Sequence, residues 1–208
     1  MKKSAIILAV DSQGNFNVDK AFLKFDDKPL LRHAVLGVKG VVDEVIVVVA
    51  SEKQAATYGS IVSSDVKFAI DVDKSKGSLA AALSGFEAAE GEYSLVLPFD
   101  SPFVSKEVVS LLFELSAGKS AVVPRWPGMK CEELHAVYNT WQASEAARKA
   151  LAEGKVDLAT IVASMRGVRY VSTLVIEQLD HDFRSFFRVE TQLDLKKAES
   201  MGKARKRL

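Results

Sequence analysis

With 208 residues, 48% of them hydrophobic, the chain suits one sizeable α/β domain and lies far from disordered compositions. Lys and Arg number 28 against 27 Asp and Glu, a net charge of +1, which removes the bulk electrostatic case for nucleic acid. The single cysteine, Cys131, excludes an internal disulfide and a cysteine-rich metal centre, and fits a reducing, cytoplasmic setting.

The first stretch, Met-Lys-Lys followed by an apolar run, reaches Asp11 without a small-residue cleavage site and reads as a strand, not a signal peptide. Ala5–Val10 is continuously apolar, as in a strand covered on both faces. A polar loop follows, from Asp11 to Val18, with one glycine (Gly14), ending at Asp19-Lys20. Pro29 suits the first turn of a helix that carries Leu30, Leu31, Ala34, Val35 and Val38 at helical spacing.

Val45–Val49 predicts a second buried strand, Glu52–Tyr58 a short helix ending near Gly59, and Val66–Ile70 a third strand stopping at Asp71. Ser78–Glu90 reads as a small-residue helix able to pack closely on a sheet. Tyr93–Leu97 is the fourth strand, running into Pro98-Phe99-Asp100-Ser101-Pro102, and Ser105 the N-cap of a helix over Lys106–Ala117. Ala121–Val123 and Leu134–Tyr138 read as strands around a Pro/Gly loop.

Ser144–Ala152 and Leu158–Met165 read as helices, Arg169–Leu174 as a late strand, and Thr191–Met201 as a closing helix capped by Thr191. The basic tail (Lys203, Arg205, Lys206, Arg207) reads as a solvated terminus, and no run is long enough to span a bilayer. The alternation predicts one α/β domain around a mostly parallel sheet. Residues 1–125 would bind the ligand and 126–208 would elaborate the acceptor side.

Ligands of open parallel sheets bind beyond the carboxyl ends of the strands. The loop Asp11–Lys20, Asp71 and Asp100 all fall there. Asp100, stiffened between two prolines, suits either a Mg²⁺ ligand or a capping carboxylate. Lys20 is open to two readings, a cation for a triphosphate or a merely exposed side chain. Asp71 either accepts from a base or sugar or simply ends its strand, and Asp73 is equally open. His33, His135 and His181 have no zinc-like spacing. The sequence has no G-x-S-x-G elbow, and Cys131 has no assigned base.

Taken in order, the segments resemble the molybdenum cofactor guanylyltransferase family of nucleotidyltransferases. The resemblance rests on Ala5-Ile-Ile-Leu-Ala9, Asp19-Lys20-Ala21, Lys28-Pro29-Leu30-Leu31 and Val42-Asp43-Glu44-Val45. It continues through Gly77-Ser78-Leu79-Ala80-Ala81, Val122-Val123-Pro124, Glu132 to Tyr138 and Ser185 to Thr191 with Asp194-Leu195. Leu97-Pro98-Phe99-Asp100-Ser101-Pro102-Phe103-Val104-Ser105, against P-x-D-x-P-F-V-S, is its most specific element.

The resemblance implies a Rossmann-like domain that transfers GMP from GTP to a phosphorylated acceptor, molybdopterin in the usual case. Mg²⁺ assists and pyrophosphate is released. By position, Asp100 would bind Mg²⁺, Lys20 the triphosphate and Asp71 the guanosine, with the backbone of Leu8, Ala9 and Val10 against the base. Glu190 would be a further metal ligand. No nucleic acid or membrane is expected as a partner, and the chain would be a monomer or small homo-oligomer.

The signature loop departs from L-A-G-G-x-S-x-R-M-G-x-D-K. Val10 and Asp11 replace its two early glycines, Asn15 its arginine and Asn17 its later glycine. Valine disfavours the dihedrals and close approach that glycine permits, and losing arginine removes a bidentate phosphate donor. Arg188 and Glu190 stand in place of the asparagines of N-V-N-T, and Glu133 in place of the proline of E-P-L-H. Two further readings stay open: a catalytically degenerate homologue that binds nucleotide or cofactor, and a cytidylyl or sugar-phosphate nucleotidyltransferase.

Overall fold

The computed structural model describes residues 1–10, 16, 18–71 and 77–205. The loop expectations on Asp11, Gly14, Asn15 and Asn17, those on Asp73, and the tail residues Lys206 and Arg207 lie outside the described residues. The strands are β1 (Lys3–Leu8), β2 (Lys24–Phe25), β3 (Lys28–Pro29), β4 (Glu44–Val49), β5 (Lys67–Ile70), β6 (Tyr93–Pro98), β7 (Ala121–Arg125), β8 (Ala136–Asn139) and β9 (Val168–Ser172). The helices are α1 (Leu30–Val38), α2 (Glu52–Gly59), α3 (Gly77–Ala88), α4 (Lys106–Glu114), α5 (Thr140–Ala152), α6 (Ala159–Ser164), α7 (Thr173–Ile176) and α8 (Gln192–Arg205). None of these helices is long and apolar enough to cross a membrane.

Seven strands form one sheet in the order β5-β4-β1-β6-β8-β7-β9. β1 runs parallel to β4 and β6, β4 to β5, and β7 to β9. β8 is antiparallel to both neighbours, so the sheet is mixed and mostly parallel. The apolar run expected as a strand over Leu134–Tyr138 begins as a 3-10 turn, Glu133–His135, before β8 starts at Ala136.

Every residue of β4 and β6 is buried, and both faces of the sheet are covered. Ala5, Ile7 and Ala9 pack with Leu31, Val35 and Val38 of α1 and Val108, Leu112 and Phe113 of α4. Ile6 and Leu8 point the other way, onto Leu79, Ala82 and Phe86 of α3 and Ala143 and Ala147 of α5. Each fully buried large aliphatic side chain contributes about 1.5–3 kcal/mol, offset by the cost of ordering the chain. The small residues of α3 matter because the helix lies close: a Cβ on Gly85 would sit 2.3 Å from Ile6 Cγ2.

Caps set the helix starts. Ser105 accepts from Val108 N at 3.3 Å, as its sequence position predicts. Thr191 and Asp194 bond each other reciprocally at the head of α8, a capping-box arrangement. Between Lys20 and α1 the chain makes a two-residue hairpin turn, β2 to β3, through Asp26 and Asp27 at φ 47° and 62°. The outer face of that hairpin packs with α8 in a third cluster of Phe16, Phe25, Leu30, Val189 and Ala198.

The chain leaves β1 toward β4 and β5, then returns to the opposite side of β1 as β6. That reversal places the carboxyl ends of β1 and β6 at a topological switch point, where open α/β sheets take their ligands.

Candidate active site

β6 ends at Pro98, and two residues later Asp100 is fully buried at the switch point. Lys20 enters from a 3-10 turn (Lys20–Phe22) and is only 5% exposed, so it is not the solvated side chain that a lone lysine suggests. Its Nζ donates to Asp100 Oδ2 at 2.7 Å, lies 5.3 Å from the centre of the Phe99 ring, and reaches the Val189 carbonyl at 3.5 Å. Arg188 closes the group by donating from Nε to Asp100 Oδ1 at 3.0 Å and from Nη2 to Oδ2 at 3.2 Å. Its Nη1 meets Glu190 Oε1 at 2.9 Å. Burial works against the Arg188 charge, but bonding to Asp100 outweighs it and raises the pKa, keeping the group cationic.

A second chain of bonds holds Lys20 in place. Asp19 caps its turn by accepting from Ala21 N at 2.9 Å, and Tyr58 Oη donates to Asp19 Oδ2 at 2.8 Å. Gln54 Nε2 donates to Tyr58 Oη at 2.8 Å and to the Ala9 carbonyl at 3.4 Å. Thus α2 ties the end of β1 to the lysine. Sequence reading passed over Gln54 and Tyr58, although their i, i+4 spacing on one helix was a usable signal.

Ala9 N donates to the Val48 carbonyl at 2.8 Å and Phe99 N to the Leu8 carbonyl at 3.3 Å. The backbone of Leu8 and Ala9 is therefore partly spent on neighbouring strands, and half-buried Val10 is the second residue beyond β1. Asp71 is 2% exposed just beyond β5, with its N–H on the Val49 carbonyl at 2.8 Å. Three strand spacings, about 14 Å, separate the β5 and β6 positions. Asp71 and Asp100 can therefore flank an elongated ligand but cannot hold one atom.

Glu190 is exposed and turned toward Arg188. His135 is 4% exposed, with Nε2 3.2 Å from Ser101 Oγ and its ring edge-on to Phe186. Burial, then the nearby Arg188 charge, push its pKa down to about 3, so it is neutral beside the cations. His33 pairs with the Phe25 carbonyl at 2.6 Å, a structural role. Among the described residues no three His, Cys, Asp or Glu side chains converge to hold a metal. A cavity of about 890 Å³ lies elsewhere, between Phe25, Gly37, Phe103 and Arg184, and none of Lys20, Asp71, Asp100 or Arg188 lines it.

Residues 5–168 match the MobA-like NTP transferase domain. A probable molybdenum cofactor guanylyltransferase of Methanosarcina mazei is 33% identical over 198 residues, covering 93% of this chain and 88% of the relative. A molybdenum cofactor guanylyltransferase of Desulfosudis oleivorans is 27% identical, covering 97% and 96%. In shape, the chain is similar to molybdopterin-guanine dinucleotide biosynthesis protein A of Archaeoglobus fulgidus at TM-score 0.80 and 24% identity, covering 97% and 99%. It is also similar to the 2-C-methyl-D-erythritol 4-phosphate cytidylyltransferase of Thermus thermophilus at TM-score 0.69 and 20% identity, covering 98% and 100%. A domain match over most of the chain, with a relative a third identical along nearly its whole length, places the chain in the MobA-like NTP transferase family.

Proposed function

We propose that this protein is a molybdenum cofactor guanylyltransferase acting in the cytoplasm: it transfers GMP from GTP to the phosphate of molybdopterin and releases pyrophosphate. An acceptor phosphate oxygen attacks the α-phosphorus, and the bond from that phosphorus to the β-phosphate bridging oxygen breaks. The observation that carries the reading is the pair of cations, Lys20 and Arg188, converging at the switch point on one buried carboxylate. Phosphoryl chemistry of this kind relies on positioning and on neutralising charge, which fixed cations supply.

In this reading Lys20 and Arg188 face the phosphates and the departing pyrophosphate. Asp71 accepts hydrogen bonds from the guanosine, and the end of β1 at Leu8, Ala9 and Val10 borders the base. Mg²⁺ is the component that the residues fit least. As the site stands, Asp100 and Glu190 are both held by Arg188. The same observation favours a second reading, a homologue that binds nucleotide without turning it over.

Titrating GTP, CTP and ATP by calorimetry, with pyrophosphate release followed in parallel, tests both. Saturable GTP binding with pyrophosphate release on adding molybdopterin is expected. GTP binding without release selects the second reading, and no saturable binding of any nucleotide removes both.

A further inference from the structure

Both oxygens of Asp100 are already occupied. Oδ2 accepts from Lys20 Nζ and Arg188 Nη2, and Oδ1 from Arg188 Nε, all within 2.7–3.2 Å. Two parallel guanidinium bonds to one carboxylate are a strong, directional arrangement that matches the planar fork of arginine. The side chain of Asp100 is 0% exposed and that of Lys20 7%, whereas that of Arg188 is 36% exposed. The guanidinium is therefore the outer face of the cluster. Its remaining nitrogen holds Glu190, the second carboxylate that a metal site would draw on.

Mg²⁺ needs carboxylate oxygens at about 2.0–2.1 Å in near-octahedral geometry and keeps several waters. An ion there would crowd two cations already bonded to the same oxygens. Coulomb repulsion at such separations is only weakly screened inside a protein.

We propose that Arg188 is a resident cation at the position where a divalent metal would otherwise sit. It neutralises Asp100 and, with Lys20 behind it, meets the nucleotide's phosphates directly, so that nucleotide binding by this chain is largely independent of Mg²⁺. The phosphate half of this inference rests on the nucleotidyltransferase reading; the metal half does not.

The metal half is tested with Mn²⁺ alone, titrated into the full chain while the free ion is followed by electron paramagnetic resonance. The wild type is expected to show no saturable site below about 1 mM. Arg188→Gln, which frees the carboxylate, is expected to gain a site at least about 10-fold tighter. Adding Asp100→Asn to that variant removes the site. Arg188→Lys, still cationic, keeps the exclusion, and Arg188→Met, uncharged and of similar length, repeats the test if the Gln variant melts too low to be studied. A wild-type Mn²⁺ site that Asp100→Asn abolishes would overturn the proposal. So would a folded Arg188→Gln that binds Mn²⁺ no better than the wild type.

The phosphate half is tested by titrating GTP in EDTA and in Mg²⁺. Wild-type affinities are expected to agree within about threefold, while Arg188→Gln loses about 10-fold or more in EDTA. A wild type that binds GTP only with Mg²⁺ overturns this half. If GTP binds under neither condition, this half and the proposed function fail together, while the Mn²⁺ series still decides the role of Arg188 at Asp100.

Discussion

The two ends of the sheet each bury a carboxylate, and they use it differently. At the end where the strands begin, Glu44 on β4 is 9% exposed and accepts from Ser4 Oγ at 2.6 Å, Glu90 N at 2.7 Å, Gly91 N at 3.2 Å and Lys67 Nζ at 2.8 Å. Three of those four donors are neutral. At the end where the strands finish, Asp100 is fully buried and its side chain is held by two cations from positions 20 and 188. Neutral donors satisfy a charge and leave no surplus, which suits a structural knot. Two cations share the one buried carboxylate, and their second counter-charge is the exposed Glu190 on Arg188, a partner that an anion arriving from solvent can replace.

The largest effect that separates the ends is expected from Asp100→Ala. Removing that carboxylate strands Lys20, 5% exposed, without its ion partner. The expected loss is about 3–5 kcal/mol of unfolding free energy, read from urea denaturation. A cost equal to that of a surface charge would dissolve the contrast.

Glu44→Gln comes next. It keeps the shape, weakens several bonds and costs about 1–3 kcal/mol, with GTP affinity unchanged. Burial alone would raise the Glu44 pKa, but its bonds to Lys67, Ser4 and Glu90 N outweigh that and lower it from 4.5. Its stabilisation is therefore fully present above pH 4.5 and lost as pH falls through the lower folded value, and the Gln variant should lack that acid limb. An altered GTP affinity would mean that the two ends are coupled.

The last effect is a pH dependence carried by His135, neutral in the folded state down to about pH 3 and ordinarily titrating near 6.5. Between those values the unfolded chain binds the extra proton, so stability falls as pH falls, by at most about 1.4 kcal/mol per unit. His135→Asn is expected to flatten that slope in denaturation curves at pH 4 to 6. An unchanged slope would show that His135 does not carry it.

Most of the architecture was readable because β1, β4 and β6 are apolar on both faces and only a covered sheet tolerates that. The Ser105 cap and the small-residue helix α3 were readable from local chemistry. The direction of β8 was not, since a buried run carries the same residues whichever way it points. The hairpin at Asp26-Asp27 escaped because its positive φ angles fall on aspartates, not glycines. In the site, Asp100 and Lys20 stood out from pattern. Arg188 stands 88 positions from Asp100, and no local pattern reports which distant side chain lands on a carboxylate.

The backbone of residue 189 also has a bearing on how the chain folds. Its N–H bonds the Asp100 carbonyl at 2.9 Å and its carbonyl meets Lys20 across 169 positions of sequence. Contacts between such remote residues carry a large loop-closure cost and are expected late on the folding route, after the local strand–helix units have docked. Arg188 would then be largely unformed in the folding transition state. Substitutions there would speed unfolding far more than they slow refolding. The cluster of Lys20, Asp100 and Arg188 is thus expected to be the last part of the molecule to close and the first to open, with a local lifetime shorter than that of the sheet beneath it.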